Sequence, residues 1–257
     1  MAIDAGDTGG ETTEMNLALI VAAGKGTRMG AEGGKQFLPL AGKPVLAHTL
    51  AAFQQASSID AIIVITAEEN FDRCLSVIDT YSIIKANGAN RANGANRANG
   101  ANRIVIGGAE RQDSVYNGLQ AAREFEQAKV VVVHDGARPL VTPRLIDDAI
   151  VNLVECDGVV VGIPAKDTIK LVDDGFVIET PDRSKTWQVQ TPQAFLFEPL
   201  LRAHEKARAE GFYGTDDSML MERYGSKIKV ITGLEENIKI TTPIDLVLAE
   251  AILKNRA

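Results

Sequence analysis

The chain has 257 residues, of which 45% are apolar and 24% charged, and its net charge is -7. That composition fits a globular protein with ample core and argues against a nucleic-acid binder, which would usually be basic. No apolar run approaches the ~20 residues of a membrane span. The two cysteines, Cys74 and Cys156, have no CxxC or His partner nearby, which suits a reduced, cytoplasmic setting.

Residues 1–15 carry four acids and no basic residue. They read as a disordered lead, since a targeting signal would be basic, and residues 16–257 read as a single domain. A strand is expected at 17–21. It runs into "VAAGKGTRMG", residues 21–30, which has three glycines, a lysine, an arginine and no acid. A P-loop needs Gly-Lys followed by Ser or Thr, and the dinucleotide fingerprint needs a third glycine where Met29 stands, so the loop fits neither pattern. Its Ala22, Ala23, Gly24 and Gly26 nevertheless let backbone approach a ligand closely, with N–H groups aimed at oxyanions or a base edge. Arg28 and Lys35, seven residues apart, either close on a polyphosphate or are solvated charges on a turn.

A helix is expected at 44–55, a strand at 61–66 and a helix at 69–80. Residues 86–103, "ANGANRANGANRANGANR", are three perfect copies of a six-residue unit. Asn and Gly favour turns and the unit offers no core, so an inert exposed loop is expected. A strand at 104–107 ends in "GGAERQDS", small residues followed by a helix at 114–127. The strand at 129–134 ends in "HDGARP". Asp135 there either caps a turn or serves a metal or a hydroxyl-rich ligand, and His134 reads as structural. Then come a helix at 143–155 and a strand at 158–163. "KVVVVHD" and "DGVVVGIP" are continuous β-branched runs, the mark of strands buried on both faces. Thr142-Pro143 and Thr242-Pro243 each place an N-cap residue before a proline at the first helical position.

Residues 166–190 break the alternation. Strand-like runs flank Asp173-Asp174-Gly175, a turn signal, and no helix intervenes. An antiparallel hairpin projecting from the sheet is expected, of the kind that packs on another subunit or closes a site. Helices follow at 198–210 and 216–224, the latter capped by Thr215 or Asp216. A strand at 227–232 and a helix at 243–254 complete the chain. Lys239, beside the late strand, would by itself be a surface charge. Strands alternating with helices predict an open α/β sheet with helices on both faces, which binds ligands at its strand ends.

The three histidines and two cysteines are scattered, so zinc is not expected and no protein metal cage is visible. No G-x-S-x-G or Cys/His pairing marks a nucleophile. What remains is a set of cations, backbone amides and acids around a crevice. That suits phosphoryl or nucleotidyl transfer, in which positioning and charge stabilisation do most of the work. Such a reaction needs a divalent ion, here Mg²⁺, bound mainly through substrate phosphates.

The ordered set "AAGKGTRMG…KQFL", "GGAERQDSV", "HDGARP", "DTIK", "DR…W…QTPQAF", "TDD" and "NIKIT" resembles the 2-C-methyl-D-erythritol 4-phosphate cytidylyltransferases of the non-mevalonate isoprenoid route, from about Leu17 to the C-terminus. The resemblance implies a Rossmann-like, mostly parallel twisted sheet with a projecting β-arm. It also implies a reaction: CTP plus methylerythritol phosphate gives the CDP-alcohol and pyrophosphate. On that basis Arg28 and Lys35 stabilise the transition state, and Ala22, Ala23, Gly24, Gly26, Gly108, Ala109 and Ser114 line the CTP site. Asp135 and Arg138 stand at the junction of nucleotide and alcohol. Thr168, Arg183, Thr215 and Lys239 hold methylerythritol phosphate, Lys239 also lying near the α-phosphate. A homodimer with crossed arms is implied, so Thr168 and Arg183 would serve the partner's site. Val21 departs from the proline many members carry. Ribitol-5-phosphate cytidylyltransferases share much of the set, but their first loop tends to read A-G-G where this one has Ala22-Ala23-Gly24. A sugar-1-phosphate nucleotidyltransferase or a non-catalytic nucleotide-binding module are the other readings. Arg28, Lys35 and Lys239 together argue against the last.

Overall fold

The computed structural model describes residues 14–24, 34–86 and 104–256. The expected lead up to residue 13, the repeat from residue 87 onward, Gly26 and Arg28 lie outside the described residues. In chain order the elements are β1 (Met15–Ala22), β2 (Pro39–Leu40), β3 (Lys43–Pro44), α1 (Val45–Gln55), β4 (Ala61–Thr66), α2 (Phe71–Thr80), β5 (Ile104–Ile106), α3 (Arg111–Ala122), β6 (Ala128–Asp135), α4 (Pro143–Val151), β7 (Gly158–Pro164), β8 (Leu171–Asp173), β9 (Phe176–Glu179), β10 (Trp187–Leu196), α5 (Phe197–Glu210), α6 (Asp217–Arg223), β11 (Ile228–Thr232) and α7 (Pro243–Arg256).

Among the described residues, seven strands form one sheet in the order β11-β7-β10-β6-β1-β4-β5. All neighbours are parallel except the two pairs made by β10. Period-two alternation along β1 sends Ala18 and Ile20 to one face, against α1 and its Leu46, Leu50 and Phe53. Leu17 and Leu19 go to the other, against α3, α5 and α6 with Val115, Leu119, Leu200 and Leu220. Burial on both faces explains why the central strands read as unbroken apolar runs. A third cluster seats Ala249 of α7 on Leu40, Val45, Leu140 and Ile240. The chain runs from β1 outward through β4 and β5, then returns to β6 on the opposite side of β1. The order therefore reverses between β1 and β6, and ligands of open α/β sheets bind outside the strand ends at such a point.

Several helix starts or caps differ from expectation, α2 for example beginning at Phe71 rather than at residue 69. α3 begins at Arg111, not Ser114, because the Glu110 and Asp113 side chains cap it reciprocally. Thr142 caps α4 as expected, its side chain accepting from the Leu145 N–H at 3.2 Å. At α7 the reach is reversed: the Asp245 carboxylate accepts from the N–H groups of Thr241 and Thr242 at 2.8 and 2.7 Å. Asp216, rather than Thr215, caps α6, accepting from the Met219 N–H at 2.9 Å.

The hairpin is β8–β9. Asp174 and Gly175 form its turn with φ of 46° and 81°, the two positive values that a type I′ turn demands. The stretch after it differs from the expected excursion. From Trp187 the chain rejoins the sheet as β10, which inserts antiparallel between β6 and β7. Its pairing with β7 shifts register between Val189 and Gln193 and then resumes, with Phe195 opposite Gly158. Gly158 has to be glycine there: a Cβ would lie 2.5 Å from Phe195 Cδ1 and 2.8 Å from Ile228 Cδ1. Gly158→Ala should therefore overpack the sheet and cost about 1–3 kcal/mol. Thermal unfolding should show a Tm several degrees lower; an unchanged or raised Tm would contradict this strand order.

Candidate active site

The glycine loop leaves β1 at its carboxyl end. Ala22 closes the strand, and Ala23 and Gly24 follow it there. Ala23 is in close packing with the turn after β5, since a Cβ on Gly107 would stand 2.7 Å from both the Ala23 methyl and Ser114 Oγ. Gly107 therefore lets two strand-end loops touch. The Gly108 N–H donates to Ser114 Oγ at 3.1 Å, and that hydroxyl donates to the Glu110 carbonyl at 3.1 Å. Ala109 lies exposed in the same turn. On the other side of β1, the Gly136 N–H donates to the Val21 carbonyl at 2.9 Å. Of the small residues expected to line a nucleotide, Ala22, Ala23 and Gly24 thus stand at the end of β1 beside the turn of Gly108, Ala109 and Ser114.

Lys35 opens a 3-10 turn, Lys35–Phe37. Gln36, buried, donates from Nε2 to the Ala22 carbonyl at 2.7 Å. Gly34 makes room for that amide in a left-handed conformation (φ 92°), where a Cβ would come within 2.6 Å of Nε2. Gln36 therefore anchors Lys35 beside the end of β1. It stands inside the "KQFL" motif, but nothing in its spacing reveals the bond.

Asp135, at the end of β6, is 7% exposed and carries three ion pairs. Arg111 Nε meets its Oδ1 at 3.4 Å, while Lys239 Nζ and Arg138 Nε meet Oδ2 at 2.8 and 3.5 Å. Burial would raise its pKa, but the charges of Arg111, Lys239 and Arg138 outweigh it and hold the carboxyl well below the usual range. The Asp135 N–H donates to Thr191 Oγ1 of β10 at 3.1 Å. Arg138 also donates to the Asn237 carbonyl at 2.9 Å. Asn237, fully buried, donates to the Thr191 carbonyl at 2.8 Å and to Gln190 Oε1 at 3.2 Å. Lys239 is thus carried by a pinned loop and is no isolated surface charge. Its side chain is 37% exposed, so its ammonium can still meet a ligand.

His134 is structural, as expected. It packs on Phe53 with ring centroids 5.0 Å apart, and burial drives its pKa down to about 3. Behind Asp135, Arg111 continues to Asp217 Oδ2 at 2.8 Å, and Asp217 Oδ1 accepts from His204 Nε2 at 3.0 Å. Burial would raise the Asp217 pKa, yet the Arg111 charge and the His204 bond lower it to about 2. Sequence reasoning passes over Arg111. A signal exists: a cation at the first position of a helix opposes the helix dipole and needs an acidic partner.

Three expected residues stand apart. Thr168 and Arg183 are exposed, and the Arg183 guanidinium donates to the Lys166 carbonyl at 3.4 Å, within its own excursion. Among the described residues, neither bonds to the Asp135 cluster. Thr215 is exposed against the Met219 sulfur. Its neighbours tie it to the site edge, Asp216 through Gln193 at 2.8 Å and Asp217 through Arg111. Among the described residues no helix is long and apolar enough to cross a membrane.

The arrangement is a buried, ionised carboxylate ringed by three cations, beside a backbone of small residues at a strand-order reversal. It can grip an anionic ligand and stabilise charge that develops on it. Comparisons with known proteins agree with this chemistry. The family model of 2-C-methyl-D-erythritol 4-phosphate cytidylyltransferase (IspD) matches residues 16–255. The chain is 49% identical over 236 residues to the 2-C-methyl-D-erythritol 4-phosphate cytidylyltransferase of Syntrophotalea carbinolica, covering 91% of this chain and 94% of that one. It is 45% identical to the enzyme of that name from Geotalea uraniireducens, over 93% and 96% of the two chains. Its fold is similar to the crystal structure of 4-diphosphocytidyl-2C-methyl-D-erythritol synthase from Anaerococcus prevotii, with a TM-score of 0.78, 31% identity and coverage of 94% and 96%. The chain belongs to the 2-C-methyl-D-erythritol 4-phosphate cytidylyltransferase family.

Proposed function

We propose that this crevice carries out the family's reaction, cytidylyl transfer from CTP to 2-C-methyl-D-erythritol 4-phosphate, with its residues in the following roles. A phosphate oxygen of the alcohol phosphate attacks the α-phosphorus of CTP. The bond from that phosphorus to the bridging oxygen breaks, and pyrophosphate leaves with the electron pair. Negative charge gathers on the α-phosphoryl oxygens. Arg28 and Lys35 stabilise it, as does Lys239 from the β6 side. Ala22, Ala23, Gly24, Gly26, Gly108, Ala109 and Ser114 receive the nucleotide, whose base and ribose need close approach more than charge. Asp135 and Arg138 stand at the junction with the alcohol, and Thr215 and Lys239 hold the alcohol phosphate. The observation that carries this reading is Asp135 with Arg138 and Lys239 on one carboxylate oxygen, next to the packed small residues after β1 and β5.

A divalent cation, Mg²⁺, would be held mainly by the CTP phosphates, because both Asp135 oxygens are already engaged by Arg111, Arg138 and Lys239. When bound, it neutralises phosphate charge and orients the triphosphate. The cytoplasm is the compartment this reading assigns, in keeping with two free cysteines.

The second subunit enters through the excursion at 166–190. Phe176 is 75% exposed and Ile178 67%, with Val172 and Val177 also open to solvent. A two-stranded hairpin with both faces apolar and open is marginal alone, so a homodimer in which each arm covers the other chain accounts for it. Thr168 and Arg183 then complete the partner's site, where the planar fork of Arg183 suits a phosphate.

Pyrophosphate release with CTP and Mg²⁺ should be fastest with methylerythritol phosphate, slower with ribitol phosphate and hexose phosphates. A failure to release pyrophosphate with any acceptor would leave only the reading of a nucleotide-binding module. Arg28→Ala and Lys35→Ala should each lower kcat by about 10²–10³. A rise confined to the KM for CTP would show that these cations bind the ground state and transition state alike. The arm is tested by mixing two inactive chains, one with Arg183→Ala and one with Lys35→Ala. After subunit exchange one site of each mixed dimer has both residues intact, so activity should return to about a quarter of wild type. Mixed dimers with no activity would mean that Arg183 serves its own subunit or no substrate at all.

A further inference from the structure

Among the described residues, Arg111 is the one cation on Asp135 that approaches Oδ1; Arg138 and Lys239 share Oδ2. Among the described residues it is also the one of the three that meets a second acid. Its NH1 donates to Asp217 Oδ2 at 2.8 Å, and Asp217, 1% exposed, is held in turn by the fully buried His204 of α5. A carboxylate only accepts, so His204 donates from Nε2, and both Asp217 oxygens are engaged. The chain His204, Asp217, Arg111, Asp135 therefore connects α5, the start of α6, the start of α3 and the end of β6. A guanidinium spans two carboxylates with separate N–H groups in one rigid plane, which an ammonium cannot do. Arg111 also stands where the dipole of α3 disfavours a cation, so the two carboxylates rather than the helix hold it there.

We propose that Arg111 is a positioning residue for the transfer: by holding Oδ1 it fixes the carboxylate plane of Asp135 and turns Oδ2 toward Arg138 and Lys239. It acts through Asp135 and touches neither CTP nor the acceptor. Without it Oδ1 is unheld, the carboxylate plane is fixed from one side only, and the oxygen that sets the Lys239 ammonium can shift. Misplacement of about 1 Å in such a constellation costs on the order of 10²-fold in rate. The inference rests on Asp135 belonging to the site, as the proposed function has it.

The test is a kinetic cycle with Arg111→Gln, Asp135→Asn and the double variant, assayed by pyrophosphate release with thermal unfolding alongside. Arg111→Gln should lower kcat by about 10–100-fold and leave the KM for CTP within about threefold of wild type. In the Asp135→Asn background the same change should cost less than about threefold, because the group through which it acts is gone. Arg111→Gln leaves Asp217 buried without its cation, and it can misfold for that reason. Arg111→Gln combined with Asp217→Asn removes both charges, while the amide oxygen introduced in place of the carboxylate can still accept from His204; this variant should fold and show the same loss of kcat. Equal losses in both backgrounds, or a KM effect on CTP that survives Asp135→Asn, would mean that Arg111 meets the substrate itself. Wild-type kcat in a folded Arg111 variant would make the ion pair purely structural. If Asp135→Asn alone is fully active, the assignment of Asp135 fails and this inference with it.

Discussion

A buried carboxylate is the constraint on which the site is built. Asp135 closes β6 beyond four consecutive buried valines and is nearly sealed from solvent. An ionised group in such a place costs several kcal/mol unless it is paired and hydrogen-bonded. Its cations come from three separate segments, the start of α3, the turn after β6 and the loop before α7. Meeting that one electrostatic demand brings together residues 111, 138 and 239. The same convergence places cations at the strand-order reversal, where the fold already offers a crevice. The overall charge of -7 is therefore no guide to the ligand. An acidic protein handles polyanions here by concentrating cations around a single acid.

The antiparallel strand β10 holds that cluster in place. Thr191 receives the Asp135 N–H, Gln190 and the Thr191 carbonyl hold Asn237 and Leu234, and Gln193 reaches Asp216. These polar side chains lie buried in the middle of the sheet, where apolar residues would pack better. Each has a partner at the carboxyl end of β6 or in a segment that carries an expected substrate contact. Phe195, five residues beyond Gln190, returns to the apolar core. One strand thus changes character along its length, from a polar scaffold beneath the site to packing beneath α5.

That change of character also explains what can be read from the residues alone. The parallel strands are legible because burial on both faces leaves continuous β-branched runs, as in β6 and β7. The hairpin turn is legible because Asp-Gly at two positive φ values has a sequence signature. β10 is not, and "TWQVQTPQAFL" reads in part as the arm. Its proline and glutamines argue against a central strand by ordinary rules, and only the register shift between Val189 and Gln193 accommodates them. Small residues and cations at strand ends can be singled out from position. Gln36 cannot, because its partner, the Ala22 carbonyl, is chosen by the fold, and Arg111 leaves only the hint of a cation at a helix start, its partner Asp217 likewise being chosen by the fold. The pair Arg111 and Asp217 lies 106 positions apart, beyond any local pattern.

A division of labour follows along the strand direction. The β1 residues Leu17 to Ile20 are wholly buried and serve the core, whereas polar and charged functions begin at the carboxyl ends of β1 and β6. Substitutions in the first half act on stability through packing, and those in the second act on charge placement. Asp135 belongs to both halves, since its backbone completes the ladder to β1 while its side chain gathers the cations. A change there that kept the strand intact would leave Arg138 and Lys239 without their shared acid while Arg111 kept Asp217, and the repulsion among the three cations would no longer be offset. The geometry offered to phosphate is thus set by one carboxylate in a rigid strand. The chain segments that supply the cations can differ in length and composition so long as each returns to that oxygen pair.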